Sequence, residues 1–138
     1  MGGGIILRNY RVPTLTIAGS DSSGGAGIQA DLKTFSAIGT YGMSVITAVT
    51  AQNTEGVFAV EELSGEIIKS QIKAIFDDIE PAAVKIGMVS SPEIIVDIVN
   101  TMKKYNPSFL VVDPVMISKS GYSLLKSEAK ENLIKYLI

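Results

Sequence analysis

The chain has 138 residues, the length of a single domain, and contains neither cysteine nor histidine. Disulfides, thiolate or imidazole metal sites, cysteine nucleophiles and Ser-His-Asp triads are therefore excluded within it. The net charge is only −2, which does not favour a nucleic acid partner. No apolar run approaches the roughly 18 residues of a membrane span, and the start lacks the basic region of a secretory signal. We expect a globular cytoplasmic protein without membrane contact.

Short apolar segments alternate with helix-length segments along the chain. Strands are predicted at residues 14–18, 44–50, 82–88 and 109–112, with a weaker one at 57–63. Helices are predicted at residues 28–38 and after the capping residues Ser64, Ser91 and Ser127. Because the strands are almost wholly apolar, the alternation predicts an α/β fold with a mostly parallel sheet flanked by helices on both faces.

Polar or glycine-rich sequence stands at the ends of four of the predicted strands. In open parallel sheets, ligands bind beyond the carboxyl ends of the strands. The segments at these ends are residues 19–27, 52–54, 87–88 and 113–114. We therefore expect the binding site at this edge of the sheet.

The segment 19–27 joins the first strand to a helix N-terminus, where free N–H groups attract anions or polar ligand edges. It is not a Walker A loop, because no Lys-Ser or Lys-Thr pair follows the glycines. Gly25-x-Gly27-x-x-Ala30 fits the loose dinucleotide fingerprint. The alternative is a flexible turn in which Ser23 caps the helix.

Four further side chains are candidates for ligand contacts. The primary amide of Gln52 suits bidentate pairing with an amino group beside a ring nitrogen, or else bonds a neighbouring loop. Asp31 lies in the first turns of a helix, where the helix dipole alone could explain it. Asp113 could hold Mg²⁺ through water or simply form a turn. Lys119 could meet phosphate, whereas Lys85, in mid-strand, is given no role.

Four segments resemble a known family when they are read in order. Leu15–Thr54, Val84–Met88, Val111–Met116 and Lys119–Gly121 closely resemble the hydroxymethylpyrimidine/phosphomethylpyrimidine kinases of thiamine biosynthesis, which have a ribokinase-like fold. The first segment is very specific, and the others matter mainly through their order. The resemblance spans about 110 residues of the chain, most of its length.

The resemblance implies phosphoryl transfer from Mg²⁺-ATP to the hydroxymethyl oxygen of 4-amino-5-hydroxymethyl-2-methylpyrimidine, and then to its monophosphate. Asp113 and Lys119 would lie towards the phosphates and the metal. The resemblance does not identify the residues that bind the metal. The loop 19–27 would close over the substrate as a clamp. The positions that match the family's pyrimidine contacts are Gly19, Ala26, Asp31, Gln52, Met88 and Val115.

The sequence also departs from the family that it resembles. Tyr122 stands where the family commonly has aspartate, and the family's second half, with its catalytic base and most of its ATP site, has no counterpart here. We therefore expect residues 1–138 to be the N-terminal portion of one ribokinase-like domain, without a catalytic residue of its own. Residues 1–10 are expected to be a disordered or artificially added start. A homo-oligomer would cover the apolar surface that an incomplete sheet exposes.

Two alternatives remain open from the sequence. A dinucleotide-binding oxidoreductase would fit Gly25-x-Gly27-x-x-Ala30, but it should have an acidic residue at the end of the second strand, where Gln52 and Asn53 stand. The other alternative is a non-catalytic pyrimidine-binding or regulatory module.

Overall fold

A computed structural model describes residues 11–113 of the chain. The strands are β1 (Pro13–Ala18), β2 (Tyr41–Ile46), β3 (Ala48–Asn53), β4 (Gly56–Glu62), β5 (Ala83–Ile86) and β6 (Phe109–Val112). The helices are α1 (Gly27–Ala37), α2 (Gly65–Phe76) and α3 (Pro92–Tyr105). Residues 1–10 and the predicted helix after Ser127 lie outside the described residues.

The main sheet is parallel, as the apolar strands predict. Its order is β2-β1-β5-β6, with β1 paired to β2 on one side and to β5 on the other. One face carries the core, in which α2 and α3 pack on alternate side chains of the strands. The fully buried members of that face include Leu15, Ile17, Val45, Val84 and Ile86. Because all four strands run parallel, their carboxyl ends lie at one edge of the sheet.

Helix α1 lies on the opposite face of the sheet, over β1 and β2. A Cβ atom at Gly42 would lie 3.1 Å from side-chain atoms of Leu32 and of Phe35, so glycine allows the helix to pack closely on β2. On β6 this face is not covered within residues 11–113, because Phe109 and Val111 are exposed there. Helices thus flank both faces of the sheet, as predicted, although the cover over β6 is incomplete.

The prediction of one strand at residues 44–50 is wrong. The chain leaves the main sheet at Thr47, and β3 pairs instead with β4 in a separate antiparallel hairpin. Thr47 is buried and bonded on three sides: its N–H donates to Ala18 O at 2.9 Å, its hydroxyl donates to Met88 O at 3.0 Å, and its carbonyl accepts from Leu63 N. These hydrogen bonds hold the chain at Thr47, where it passes from the main sheet to the hairpin, so β2 and β3 do not form one continuous strand.

Two of the predicted helix caps are confirmed. Ser64 and Ser91 are the N-caps of α2 and α3, and each side chain accepts from a backbone N–H three residues on. The alternative in which Ser23 caps the helix is wrong, because α1 begins after Ala26 without a side-chain cap. None of the helices within residues 11–113 is long and apolar enough to cross a bilayer.

Candidate functional site

The β3–β4 hairpin is bonded to the glycine-rich loop 19–27. Ser20 N donates to Ala48 O at 2.8 Å, and the Thr50 hydroxyl donates to Ser20 O at 2.7 Å. Two residues further along both segments, Ser22 Oγ donates to Gln52 O at 2.6 Å and accepts from Gln52 N at 2.9 Å. The loop and the hairpin therefore form one wall at the carboxyl edge of the sheet.

The Gln52 side chain is half-buried beside this wall. The strand register shifts between Ala51 and Gln52, and such bulges redirect side chains. Gln52 Oε1 lies 3.3 Å from the Thr50 hydroxyl, which already donates to Ser20 O at the shorter distance. A single hydroxyl hydrogen cannot serve both acceptors fully. The amide thus keeps acceptor capacity, and within residues 11–113 no hydrogen bond uses its Nε2 group.

Asp21 organises the loop, a role that the sequence analysis missed. Its carboxylate accepts from the N–H and hydroxyl of Ser23 and from Gly25 N, at 2.8–3.0 Å, and the residue is only 2% exposed. Burial alone would raise the pKa of Asp21, but hydrogen bonds from Ser23, Gly25 and Ala26 together hold that pKa below its ordinary value. The signal in the sequence is Asp-x-Ser, a pattern typical of an Asx turn. The loop is thus a bonded turn and not a flexible one.

We expect Asp21→Asn to lower the free energy of unfolding by about 1–3 kcal/mol at pH 7, because the amide loses charge-assisted acceptors in a buried turn. Folding lowers the pKa of this carboxyl, so its contribution is present above the unfolded pKa and is lost as the pH falls towards the folded one. Urea unfolding at neutral and acidic pH measures both effects. Asp78→Asn, at an exposed carboxylate, is the control; an equal loss in both variants would contradict the role of Asp21.

The predicted contacts Gly19, Met88 and Ala26 lie in different environments. Gly19 is buried, and its carbonyl accepts from Ile28 N at 3.0 Å, which ties the end of β1 to the start of α1. A Cβ atom at Gly19 would collide with the methyl group of half-buried Met88. The two residues are therefore in direct proximity, whereas Ala26 is exposed at the N-terminus of α1.

Asp31 lies on the face of α1 that covers the sheet. Both carboxylate oxygens accept from Lys85 Nζ at 2.9 Å, and one of them also accepts from the Thr16 hydroxyl at 2.6 Å. Asp31 lies in the first turns of α1, as expected, but the very first turn contains no acidic residue, so the helix dipole alone does not explain it. The sequence analysis gave Lys85 no role, and the structure shows that its ammonium is the partner of Asp31.

Asp113 follows β6 at the same edge. Its N–H donates to Ile86 O at 2.8 Å, its side chain is 63% exposed, and its carboxylate lies 3.9 Å from Lys85 Nζ. Among residues 11–113, no three acidic side chains come together as a metal-binding group. The predicted residues Val115 and Lys119 lie outside the described part of the chain.

A parallel sheet with a wall of hairpin and glycine-rich loop at its carboxyl edge places the chain in the ribokinase-like class of folds. Solved structures of this class match the chain closely. A phosphomethylpyrimidine kinase from Clostridium difficile 630 is 82% identical with a TM-score of 0.87, and the match covers 92% of this chain and 55% of that one. A Staphylococcus aureus pyridoxal kinase in complex with pyridoxal is 38% identical with a TM-score of 0.81, covering 92% and 45%.

The chain belongs to the phosphomethylpyrimidine kinase family, whose model matches residues 21–138. Among curated relatives, a hydroxymethylpyrimidine/phosphomethylpyrimidine kinase from Rhizobium meliloti is 57% identical over 124 residues, and one from Bacillus subtilis is 51% identical over the same length. Each match covers 90% of this chain but 46% of the relative. The chain thus spans about half the length of these relatives. The family match gives no support to the oxidoreductase alternative.

Proposed function

We propose that the chain forms the pyrimidine-binding part of an ATP-dependent kinase. The reaction transfers phosphoryl groups from ATP to the hydroxymethyl oxygen of 4-amino-5-hydroxymethyl-2-methylpyrimidine and then to the resulting monophosphate, in thiamine biosynthesis. The observation that carries the proposal is the attachment of the Gln52 strand to the glycine-rich loop through Ser20 and Ser22. This attachment sets one half-buried amide beside a loop whose backbone can approach a flat ring.

The chemistry of Gln52 matches the edge of an aminopyrimidine. An exocyclic amino group next to a ring nitrogen offers one donor beside one acceptor, and a primary amide offers the complementary pair. Gln52 Oε1 retains acceptor capacity and its Nε2 group is not used by the described residues. Gly19 and Met88 supply the flat and apolar surfaces against which such a ring would stack. Asp31, Ala26 and Val115 are proposed as further contacts with the pyrimidine.

We place the phosphate side of the reaction near Asp113. Mg²⁺ is usually held by one or two carboxylates together with substrate phosphates, and Asp113 offers one exposed carboxylate at the carboxyl edge. This donor fits Mg²⁺ bound with ATP, which would supply charge neutralisation at the transferring phosphate. Lys119 is proposed to lie towards the same phosphates. The catalytic base and most of the ATP site are assigned to the part of the relatives' length that this chain does not match.

Titration calorimetry with 4-amino-5-hydroxymethyl-2-methylpyrimidine tests the pyrimidine site. We expect Gln52→Ala to weaken binding about tenfold to a hundredfold, the value of one bidentate amide pair. Gln71→Ala is the matched control, because that amide bonds both backbone groups of Ile46 and makes no hydrogen bond to the loop.

A second ligand sharpens this test. 5-Hydroxymethyl-2-methylpyrimidine lacks the amino group but keeps the ring nitrogen, so Gln52→Ala should weaken its binding less than it weakens the binding of the aminopyrimidine. A Gln52→Ala variant that binds both pyrimidines as tightly as the wild type does would refute the assignment of Gln52. An absence of binding to the wild-type chain would refute the pyrimidine site itself.

A further inference from the structure

A charged cluster of Thr16, Asp31 and Lys85 lies between α1 and the main sheet, near the carboxyl edge at which Asp113 stands. Thr16 and Lys85 are opposite each other on β1 and β5 and present their side chains to α1. The Lys85 ammonium bridges both oxygens of Asp31 at 2.9 Å, while the Thr16 hydroxyl holds one of them at 2.6 Å. These three bonds fix the carboxylate in a single orientation.

Burying the Lys85–Asp31 ion pair costs solvation free energy, which the attraction between the two charges need not offset. The side chains of Lys85 and Asp31 are only 24% and 16% exposed, in a strand and a helix that are otherwise suited to apolar packing. Apolar side chains of similar volume often stabilise a fold as well as a buried ion pair does. The pair is therefore poorly explained by stability alone, and its place near the carboxyl edge, where the ligand site is proposed, points to a role in binding.

Gly87 keeps space open for the ammonium on the side of the carboxyl edge. A Cβ atom at Gly87 would lie 3.2 Å from Lys85 Nζ and 3.0 Å from Ala18 Cβ. The Lys85 side chain thus extends along its strand towards the edge, where Asp113 stands 3.9 Å from the same ammonium. One cation lies between the carboxylate assigned to the pyrimidine and the carboxylate assigned to the phosphates.

We propose that Lys85 is a positioning residue of the pyrimidine pocket, which holds the Asp31 carboxylate in the orientation that meets the ligand. The proposal rests on the proposed function, because it assumes that Asp31 faces the pyrimidine. Lys85 acts through Asp31 and makes no contact with the ligand itself. Removing the ammonium should therefore matter only while the carboxylate at position 31 is present.

The test measures binding of 4-amino-5-hydroxymethyl-2-methylpyrimidine to the 138-residue chain by titration calorimetry. Lys85→Met, which keeps the length of the side chain, should weaken binding about tenfold or more, because Asp31 loses its charged partner. Lys85→Arg should retain most of the affinity, since a guanidinium can hold both carboxylate oxygens. Lys69→Met breaks another lysine–aspartate pair, with Asp97 at 3.3 Å between α2 and α3, and should leave binding unchanged.

The decisive comparison uses Asp31→Asn alone and combined with Lys85→Met. If Lys85 acts through Asp31, the two variants bind equally weakly, and this comparison stands even if Lys85→Met alone does not fold. A further loss in the double variant would overturn the proposal, as would wild-type affinity in folded Lys85→Met. Both of those results require measurable binding by the wild type, whereas no binding by the wild type would refute the proposed function instead.

Discussion

Replacing Gly27 with alanine is expected to lower the free energy of unfolding by about 3–4 kcal/mol, from left-handed strain and overpacking together. Gly27 opens α1 with a φ of +57°, and a Cβ atom there would collide with the carbonyl oxygen of Gly19. That oxygen belongs to the backbone and already accepts from Ile28 N, so it cannot move aside cheaply. The loop that carries the candidate site would have to open.

Gly39→Ala is a control that carries the backbone strain of a positive φ without the steric collision expected at Gly27. Gly39 also has a positive φ, +83°, but nothing lies within 4 Å of the position that a Cβ atom would take there, beyond the end of α1. Its replacement should cost about 1–2 kcal/mol, the left-handed penalty alone. Urea unfolding of the two variants compares them directly, and equal losses would show that the approach of Gly27 to Gly19 is not tight.

The 138-residue chain alone is expected to transfer phosphate from ATP at least about a thousandfold more slowly than a full-length relative does. Phosphoryl transfer depends on several charged groups placed together around the reacting oxygens, and the described residues offer one exposed carboxylate there. The Bacillus subtilis relative, of which this chain matches 46%, is the positive control in an assay of ADP release.

A chimera completes this test. Joining the unmatched second half of the Rhizobium meliloti relative to this chain should restore turnover, and Gln52→Ala should then impair it. Turnover by the unmodified chain at the rate of the full-length relative would contradict the assignment of the catalytic base to the second half. A chimera that folds and binds ATP but remains inactive would favour the non-catalytic module.

The sequence predicted those parts of the fold that depend on local pattern. Apolar runs located β1, β5 and β6, and the Ser64 and Ser91 caps located the starts of two helices. The change of sheet at Thr47 was not predictable, because the surrounding residues are equally apolar on both sides and the bonds that cause it come from distant segments. Long-range hydrogen bonds decided the outcome there.

The candidate site was likewise predictable only where local sequence determines it. Glycine spacing and the amide of Gln52 were visible in the sequence as chemistry at strand ends. The partnership of Lys85 with Asp31 joins residues 54 positions apart, and no local pattern signals it. The roles of the predicted site residues, the homo-oligomer and the cytoplasmic location stay predictions.

The most direct measurement of the central claim is the side-chain amide signal of Gln52 in nuclear magnetic resonance spectra of the nitrogen-15-labelled chain. During titration with 4-amino-5-hydroxymethyl-2-methylpyrimidine, the Gln52 Nε2 resonances should shift in proportion to binding, while those of Gln71, held by Ile46, stay in place. Saturating ligand that leaves the Gln52 resonances unmoved would contradict the account.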